Sequence, residues 1–320
     1  MRIAVVGAGI AGLACANALI GVGHSVSCFD KGRGFGGRMS TRRAESEGRS
    51  LQFDHGAQYF TARDRDFVDQ VLQWEADGVA VRWPEAGEGA WVGTPGMNAP
   101  LRALTQHRLV QWGTCVEALR RENGGWLALG SGDPGAFDAA IVAVPAEQAG
   151  PLLAPHRRDF AELAAGTPSQ PSWTVMAAFS QRLSIKQDIV RDRGAIGWAA
   201  RDSAKPGRGG LESWVIQASA DWSTENLEQE PETVAPILLG LLASELGIPL
   251  PAPVYLQAHR WRFARSGRSG EPTALWDASI RLGACGDWLA APRVEAAWLS
   301  GRRAAGLIGE AVEVNGSQVR

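Results

Sequence analysis

The stretch Arg2–Asp30, RIAVVGAGIAGLACANALIGVGHSVSCFD, constrains the fold of this chain more than any other. It opens with Ile3–Val6, a short apolar run of the kind found in buried parallel strands. Gly7, Gly9 and Gly12 follow in G-x-G-x-x-G spacing. Leu13–Ile20 then repeats small and apolar residues with helical period, and a second strand, Ser25–Phe29, ends at Asp30, 18 residues beyond Gly12. Strand, glycine turn, helix, strand and acid in that order form the unit that holds a dinucleotide. Gly7 would permit the tight turn, Gly9 would let the backbone approach a diphosphate, and Gly12 would let helix and strand pack closely. The helix N-terminus offers free N–H groups and a dipole that favours an anion. Asp30 would accept hydrogen bonds from a ribose.

The pattern alone is weak, because it recurs at Gly32-Gly34-Gly37 and at Gly130-Gly132-Gly135. Only the first copy has a strand before it, a helix after it and an acid at the right distance. The third contains Pro134 and leads into a strand-like run, so it reads as a hairpin turn. Ala14-Cys15-Ala16 imitates a signal cleavage site, but a single Arg and a glycine-broken apolar run exclude a leader.

At 320 residues the chain suits two domains or one large α/β unit. Its 32 basic and 34 acidic residues nearly balance, so no global field points to nucleic acid or an acidic membrane surface. No apolar run approaches the roughly 20 residues of a membrane span. Cys15, Cys28, Cys115 and Cys285 are scattered without metal or redox-pair spacing. That fits a reducing cytoplasm and no metal site. Lysine occurs only at Lys31, Lys186 and Lys205, which leaves few amines for chemistry. The 13 tryptophans are many; most should fill core, and a few could wall a cavity for a flat substrate.

After Asp30 the chain reads Lys31-Gly-Arg-Gly-Phe-Gly-Gly-Arg38, too rich in glycine for a helix or strand. Its backbone N–H groups and Arg38 would suit a second grip on a diphosphate or ribityl chain. Two grips imply a cofactor longer than NAD's usual single contact, and FAD fits. In Phe53-Asp-His-Gly-Ala-Gln-Tyr-Phe60, Gly56 suggests backbone pressed against something flat. His55 is a candidate base or, beside Asp54, half of a structural hydrogen-bonding pair. Asp64–Asp77 has the period of an amphipathic helix. The loop Gly96-Met97-Asn98 leads into a helix with Pro100 near its start. Leu109–Leu119 and Gly125–Leu129 read as strands, and Phe137–Val144 as a buried strand feeding a helix at Glu147–Leu153. From Pro171 to about Trp276 the texture becomes α+β, with the long helix Pro231–Leu246. Along the strand His259-Arg-Trp-Arg-Phe263, His259, Trp261 and Phe263 would share one face and Arg260 and Arg262 the other. His259, Trp261 and Gln58 are the candidates to line a substrate cavity. Ile280–Asp287 is a strand ending in Gly286-Asp287 ahead of a helix from Val294, again an anion- and hydroxyl-binding arrangement.

The expected architecture is an α/β chain. A Rossmann-type, doubly wound and mainly parallel dinucleotide domain (1–62, 92–165 and 276–320) carries an inserted α+β substrate domain (63–91 and 166–275).

The opening fingerprint, KGRGFGGR, FDHGAQYFTAR, GMNAPL, IVAVP, HRWRFA and GDWLAAPRVEAA together resemble the flavin monoamine-oxidase superfamily, most closely its bacterial renalase-like branch. The resemblance runs the length of the chain. It implies FAD contacts from Gly7, Gly9, Gly12, Asp30, Gly37, Arg38, Val116, Asp287 and Val294, joined in the candidate set by Ala11, Lys31, Gly36 and Gly286. Gly56, Ala57, Gln58 and the Met97 loop would lie near the isoalloxazine. Two departures matter. No cysteine stands in the substrate-domain half to attach flavin, so the FAD would be noncovalent, and Cys285 in the final strand should be buried. Neither Lys186 nor Lys205 has a recognisable context for holding water at flavin N5, which weighs against an amine substrate.

A dihydropyridine needs no acid–base pair, because its ring nitrogen lone pair already expels the hydride. The expectation is therefore an oxidase of isomeric dihydro-NAD(P), with the 2- or 6-dihydronicotinamide forms oxidised to NAD(P)+ and O2 reduced to hydrogen peroxide. Two alternatives remain open from the sequence: an amine oxidase or desaturase-like enzyme on another small molecule, and a non-enzymatic flavin-binding redox sensor.

Overall fold

The opening strand, Arg2–Val6, is an interior strand, with Ile3, Ala4 and Val5 wholly inaccessible. It pairs in parallel with Ser25–Asp30 on one side and Ala139–Val142 on the other. The computed structural model describes residues 1–105, 109–130, 135–268 and 270–317. The sheet has six strands in the order Ala274–Asp277, Leu282–Cys285, Ala139–Val142, Arg2–Val6, Ser25–Asp30, Val110–Trp112, and only Ala274–Asp277 runs antiparallel. The turn expected at 131–134 lies outside the described residues.

Contacts divide the chain into two compact units, Met1–Gly37 with Leu101–Ser169 and Arg265–Arg320, and Arg38–Pro100 with Gln170–Ala264. In the first, the helices Ile10–Gly21 and Val294–Ser317 cover one face of the six-stranded sheet. Ile10–Gly21 is made almost entirely of small and apolar residues and is buried nearly all round, as such a composition requires. The other face carries the antiparallel strands Val116–Glu122, Gly125–Gly130 and Ala136–Phe137 and the helices Ala146–Leu153 and Arg158–Ala165. Phe29, Val142, Trp126, Phe137, Leu153 and Trp288 meet there in one core. The doubly wound, mainly parallel sheet expected from the sequence is present, although one covering layer is itself largely β.

The second unit is built on five antiparallel strands in the order Ile189–Arg193, Ile196–Arg201, Glu212–Ala218, Gln170–Phe179, Tyr255–Arg265. Alternation sorts its side chains. Val175, Ala177 and Phe179 pack with Val234, Leu238 and Leu242 of helix Pro231–Leu246. Met176, Ala178 and Val215 pack on the opposite side with Leu51 and Phe53. Arg65–Ala76 forms the expected amphipathic helix, capped by the Asp64 side chain, which accepts from the N–H groups of Asp66 and Phe67.

Three expectations are corrected. Residues 38–62 and 92–100 group with the second unit, not the first, because Thr41–Ser46 and Arg49–Asp54 form a hairpin that lays Leu51 and Phe53 on its sheet. Residues 265–275 join the first unit, where Ala274–Asp277 completes the parallel sheet's edge. Leu109–Leu119 is not one strand: Gly113, at φ +68°, breaks it into Val110–Trp112 and Val116–Glu122, which belong to different sheets.

The two covering helices meet at Gly301, where a Cβ would collide with the Ala11 carbonyl and stand 3.1 Å from the Cys15 nitrogen. Nothing lies within 4 Å of the corresponding position at Gly309 in the same helix. Gly301→Ala should therefore destabilise by about 1–3 kcal/mol through overpacking. Gly309→Ala should stabilise by about 0.5–1 kcal/mol through backbone entropy. Urea midpoints of the two variants check the contrast, and equal shifts would refute it.

Candidate active site

The first unit gathers three backbone features around the glycine turn. Gly7 has φ +105°, and a Cβ there would stand 2.5 Å from the Ala143 carbonyl oxygen. A Cβ on Gly12 would collide with the Gly7 carbonyl. Those contacts fuse strand, turn and helix into one piece. Gly9 differs, because no protein atom lies within 4 Å of where its Cβ would be. It is the N-cap of Ile10–Gly21, with no side-chain cap and no acid in the first turn. Helix-terminal N–H groups without an intrahelical partner beside clear space are what a diphosphate needs.

Asp30 is fixed by that turn and by the next glycine loop. Its Oδ2 accepts from the Ala8 N–H at 2.8 Å and its Oδ1 from the Gly32 N–H at 2.7 Å. Each carboxylate oxygen keeps a further lone pair for a ribose hydroxyl. Gly36 and Gly37 take φ +137° and +49°, and a Cβ on Gly37 would lie 3.9 Å from the Gly9 Cα, so the two glycine loops converge. The N–H groups of Gly113 and Thr114 donate to the carbonyls of Gly32 and Asp30, which brings the start of the Val116 strand to this place. Lys31 is exposed, and Ala11 is buried under the turn. At the end of Leu282–Cys285, the Gly286 N–H donates to Ser300 Oγ at 2.9 Å, and Ser300 Oγ donates to the Thr273 carbonyl. Asp287, buried, opens a single 3-10 turn before the helix from Val294. A cleft of about 430 Å³ lined by Glu122, Asn123, Leu127, Phe137 and Arg281 contains none of these residues.

The second unit holds Arg38, Gly56, Ala57, Gln58, Met97, His259 and Trp261, organised by Asp54. Asp54 is fully buried; Oδ1 accepts from Thr41 Oγ1 at 2.7 Å and from the Met97 N–H at 2.9 Å. Oδ2 meets Arg208 at 2.6 Å and Lys205 Nζ at 3.4 Å. Burial alone would push this carboxyl up; Lys205, Arg208 and the Met97 N–H outweigh it and hold the group at about 2. Lys205 also pairs with Asp202 at 2.7 Å, and burial drives Asp202 upward. Gln58 spends its amide inside this network. Nε2 donates to the carbonyls of Asp54 and Gly56, and Oε1 accepts from Lys205 at 3.2 Å. Gln58 is thus a buried brace of this network. Gln217 Nε2 donates to the same Gly56 carbonyl, and a Cβ on Gly56 would collide with the Arg38 carbonyl. The Gly56-Ala57 backbone is therefore held from several directions.

His55 follows the last residue of the strand Arg49–Asp54, and its ring meets those of His259 and Trp261 while the Asp54 carboxylate is taken up by other partners, so the expected Asp–His pair does not form. Its ring stacks among His259 (5.0 Å between centroids) and Trp261 (5.1 Å), and Trp261 Nε1 donates to the His55 carbonyl at 2.8 Å. His259 and Trp261 share one strand face as expected, while Arg260 and Arg262 both reach Glu228 on the other. Burial, then His259 and Arg42, pull His55 down to about 3; burial and Arg42 pull His259 down to about 4. Both imidazoles are neutral at pH 7.

With this geometry in view, the chain matches the flavin-containing amine oxidoreductase family over residues 83–309, and an NAD(P)-binding Rossmann-like domain over residues 5–72. It belongs to the flavin-containing amine oxidoreductase family. It is an FAD-dependent oxidoreductase with FAD as cofactor. Solved structures share the fold at low identity. An Exiguobacterium protein described as a protoporphyrinogen oxidase matches with TM-score 0.73 and 13% identity over 98% of this chain and 99% of its own. Cyclohexylamine oxidase from Brevibacterium oxydans matches at 0.70 and 14% over 98% and 99%. Wild-type putrescine oxidase bound to putrescine matches at 0.61 and 13% over 96% and 99%.

Sequence reasoning missed much of this flavoenzyme's second unit. Lys205, considered only for holding water at flavin N5, sits in a dense ion-pair network, and Asp202 three residues before it was the available signal. Arg208, Gln217 and Arg42 were not singled out. Of the tryptophans, Trp83, Trp126, Trp173, Trp214 and Trp288 are fully buried and fill core. Cys285 is buried as expected. Among the described residues there is no metal-binding cluster and no helix long and apolar enough to cross a membrane.

The imidazoles impose an acid limit. Unfolded histidine takes up a proton near 6.5, whereas His55 and His259 in the fold resist it down to about 3 and about 4. The unfolded chain binds more protons within that window, so their contribution to stability is present above pH 6.5 and is lost as pH falls towards 4. Thermal midpoints from pH 7.5 to 4.5 should fall, and His55→Gln should flatten the fall; an unchanged slope in the variant would refute the assignment.

Proposed function

We propose that this enzyme is a renalase-like oxidase of isomeric dihydro-NAD(P), forming NAD(P)+ and reducing O2 to hydrogen peroxide. The observation that carries this reading is the lack of an available base in the second unit. His55 and His259 are held neutral with low proton affinity, and Lys205 is engaged by Asp54, Asp202 and Gln58. Amine oxidation requires a neutral amine and so draws on a base or an aromatic cage, whereas a dihydropyridine releases hydride without giving up a proton. FAD, when bound, would supply a two-electron acceptor that O2 can reoxidise. The chain's part is to bind, orient and exclude water.

The candidate FAD residues are Gly7, Gly9, Ala11, Gly12, Asp30, Lys31, Gly36, Gly37, Arg38, Val116, Gly286, Asp287 and Val294, with Gly56, Ala57 and Met97 towards the isoalloxazine. The clear space at Gly9 and the uncapped helix start support the diphosphate position. Noncovalent attachment is supported by the thiols: Cys15, Cys28 and Cys285 are buried, and the Cys15 contact and burial raise the Cys285 thiol well above its ordinary value. Free thiols also fit a reducing, cytoplasmic setting. An amine oxidase is the second reading, favoured by the family match itself.

Stopped-flow mixing with 2- and 6-dihydro-NAD isomers should bleach the flavin anaerobically and yield hydrogen peroxide with air. Faster reduction by primary or secondary amines than by either isomer would establish the second reading instead. Gly9→Ala should leave the fold intact yet lower FAD affinity at least tenfold, since its Cβ would enter ligand space. Gly12→Ala should impair folding itself. Circular dichroism and flavin titration separate the two outcomes.

A further inference from the structure

We propose that Arg42, His259 and His55 form a receptor for the diphosphate of a nucleotide substrate; this rests on the dihydro-NAD(P) reading above. Arg42 lies on the strand Thr41–Ser46, cross-strand from Phe53, whose ring stacks on Tyr255 at 5.2 Å and 19°. It is half-buried, and among the described residues no carboxylate forms an ion pair with it. Its neighbour is instead an imidazole: Nη2 lies 3.5 Å from His259 Nδ1. A cation cannot donate to a protonated ring, so this contact places the His259 proton on Nε2 and leaves that N–H as a donor.

A second feature lies alongside. His55 Nδ1 is buried with no hydrogen-bond partner, while its Nε2 is 3.5 Å from Ser40 Oγ. His55 itself is 4% exposed and has its ring against that of His259. The Trp261 indole, tied to the His55 carbonyl, holds both imidazoles in place, with its ring 4.5 Å from that of His259.

Elsewhere in the same unit buried cations are matched by carboxylates: Arg201 by Asp188 and Glu212, Lys205 by Asp202 and Asp54, Arg208 by Asp54. Arg42 is the exception in its surroundings. A partly desolvated guanidinium beside neutral ring donors is costly by itself and becomes favourable when an anion joins it. The planar fork pairs two-fold with phosphate oxygens, and a neutral imidazole adds a donor without a second positive charge. A diphosphate presents several oxygens to such a set.

The test uses FAD-loaded enzyme, so that the cofactor's own diphosphate site is filled. With dihydro-NAD isomers, Arg42→Ala should raise KM about tenfold or more with little change in kcat, the scale of a charge-assisted contact. Phosphate-free N-alkyl dihydronicotinamides should be oxidised equally well by both proteins. Equal losses on both substrates, or none on either, would overturn the receptor. If no dihydronicotinamide reduces the flavin, the substrate reading fails, yet the receptor is still judged by calorimetry. ADP and inorganic pyrophosphate should then bind the wild type and adenosine should not, with Arg42→Ala at least tenfold weaker. Wild-type protein that binds neither anion would refute the proposal outright. Should Arg42→Ala lose its flavin, the wild type's imidazole ¹⁵N resonances decide: pyrophosphate should shift those of His259, and unmoved resonances would count against the site.

Discussion

A buried carboxylate needs positive partners, and in the second unit that need organises everything near the candidate chemistry. Asp54 draws in Lys205 and Arg208 as cations and Thr41 and Met97 as neutral donors. Through Lys205 it fixes Gln58, and through Gln58 the carbonyl of Gly56. Removing one member of such a network leaves the others buried and unmatched, which commonly costs 3–5 kcal/mol. The same network engages each end of the Gln58 amide.

The first unit obeys a different constraint, close approach of backbone to backbone. Gly7 and Gly12 are glycines because carbonyls occupy the space a side chain would take, whereas among the described residues none crowds the place of a Cβ on Gly9. Packing alone thus accounts for two of the fingerprint glycines and not for Gly9.

What could be read from the sequence follows the range of the interactions. The glycine turn, the Asp30 position, the amphipathic helix after Asp64 and the alternation at His259 and Trp261 are local, and each came out as spacing predicts. The Asp54 network was illegible because its members are about 150 positions apart, and no periodicity links Asp54 to Lys205 or Arg208. The unit boundaries failed for the same reason: the hairpin at 41–54 has no distinctive composition, and only its packing on Met176 and Val215 assigns it. His55 shows the opposite error, in which adjacency in sequence suggested a pair although distant residues engage the Asp54 carboxylate instead.

The contact between Gly301 and Ala11 has a bearing on how the protein is made. The helix that starts the dinucleotide turn is covered by the helix Val294–Ser317, and the opening strand's sheet includes Ala139–Val142 and Leu282–Cys285. During synthesis the helix Ile10–Gly21 emerges well over a hundred residues before Ala139–Val142 and nearly 300 before Gly301. At about 5–20 residues per second, the glycine turn waits tens of seconds for its final neighbours. Until then the apolar helix Ile10–Gly21 lacks the helix that covers it.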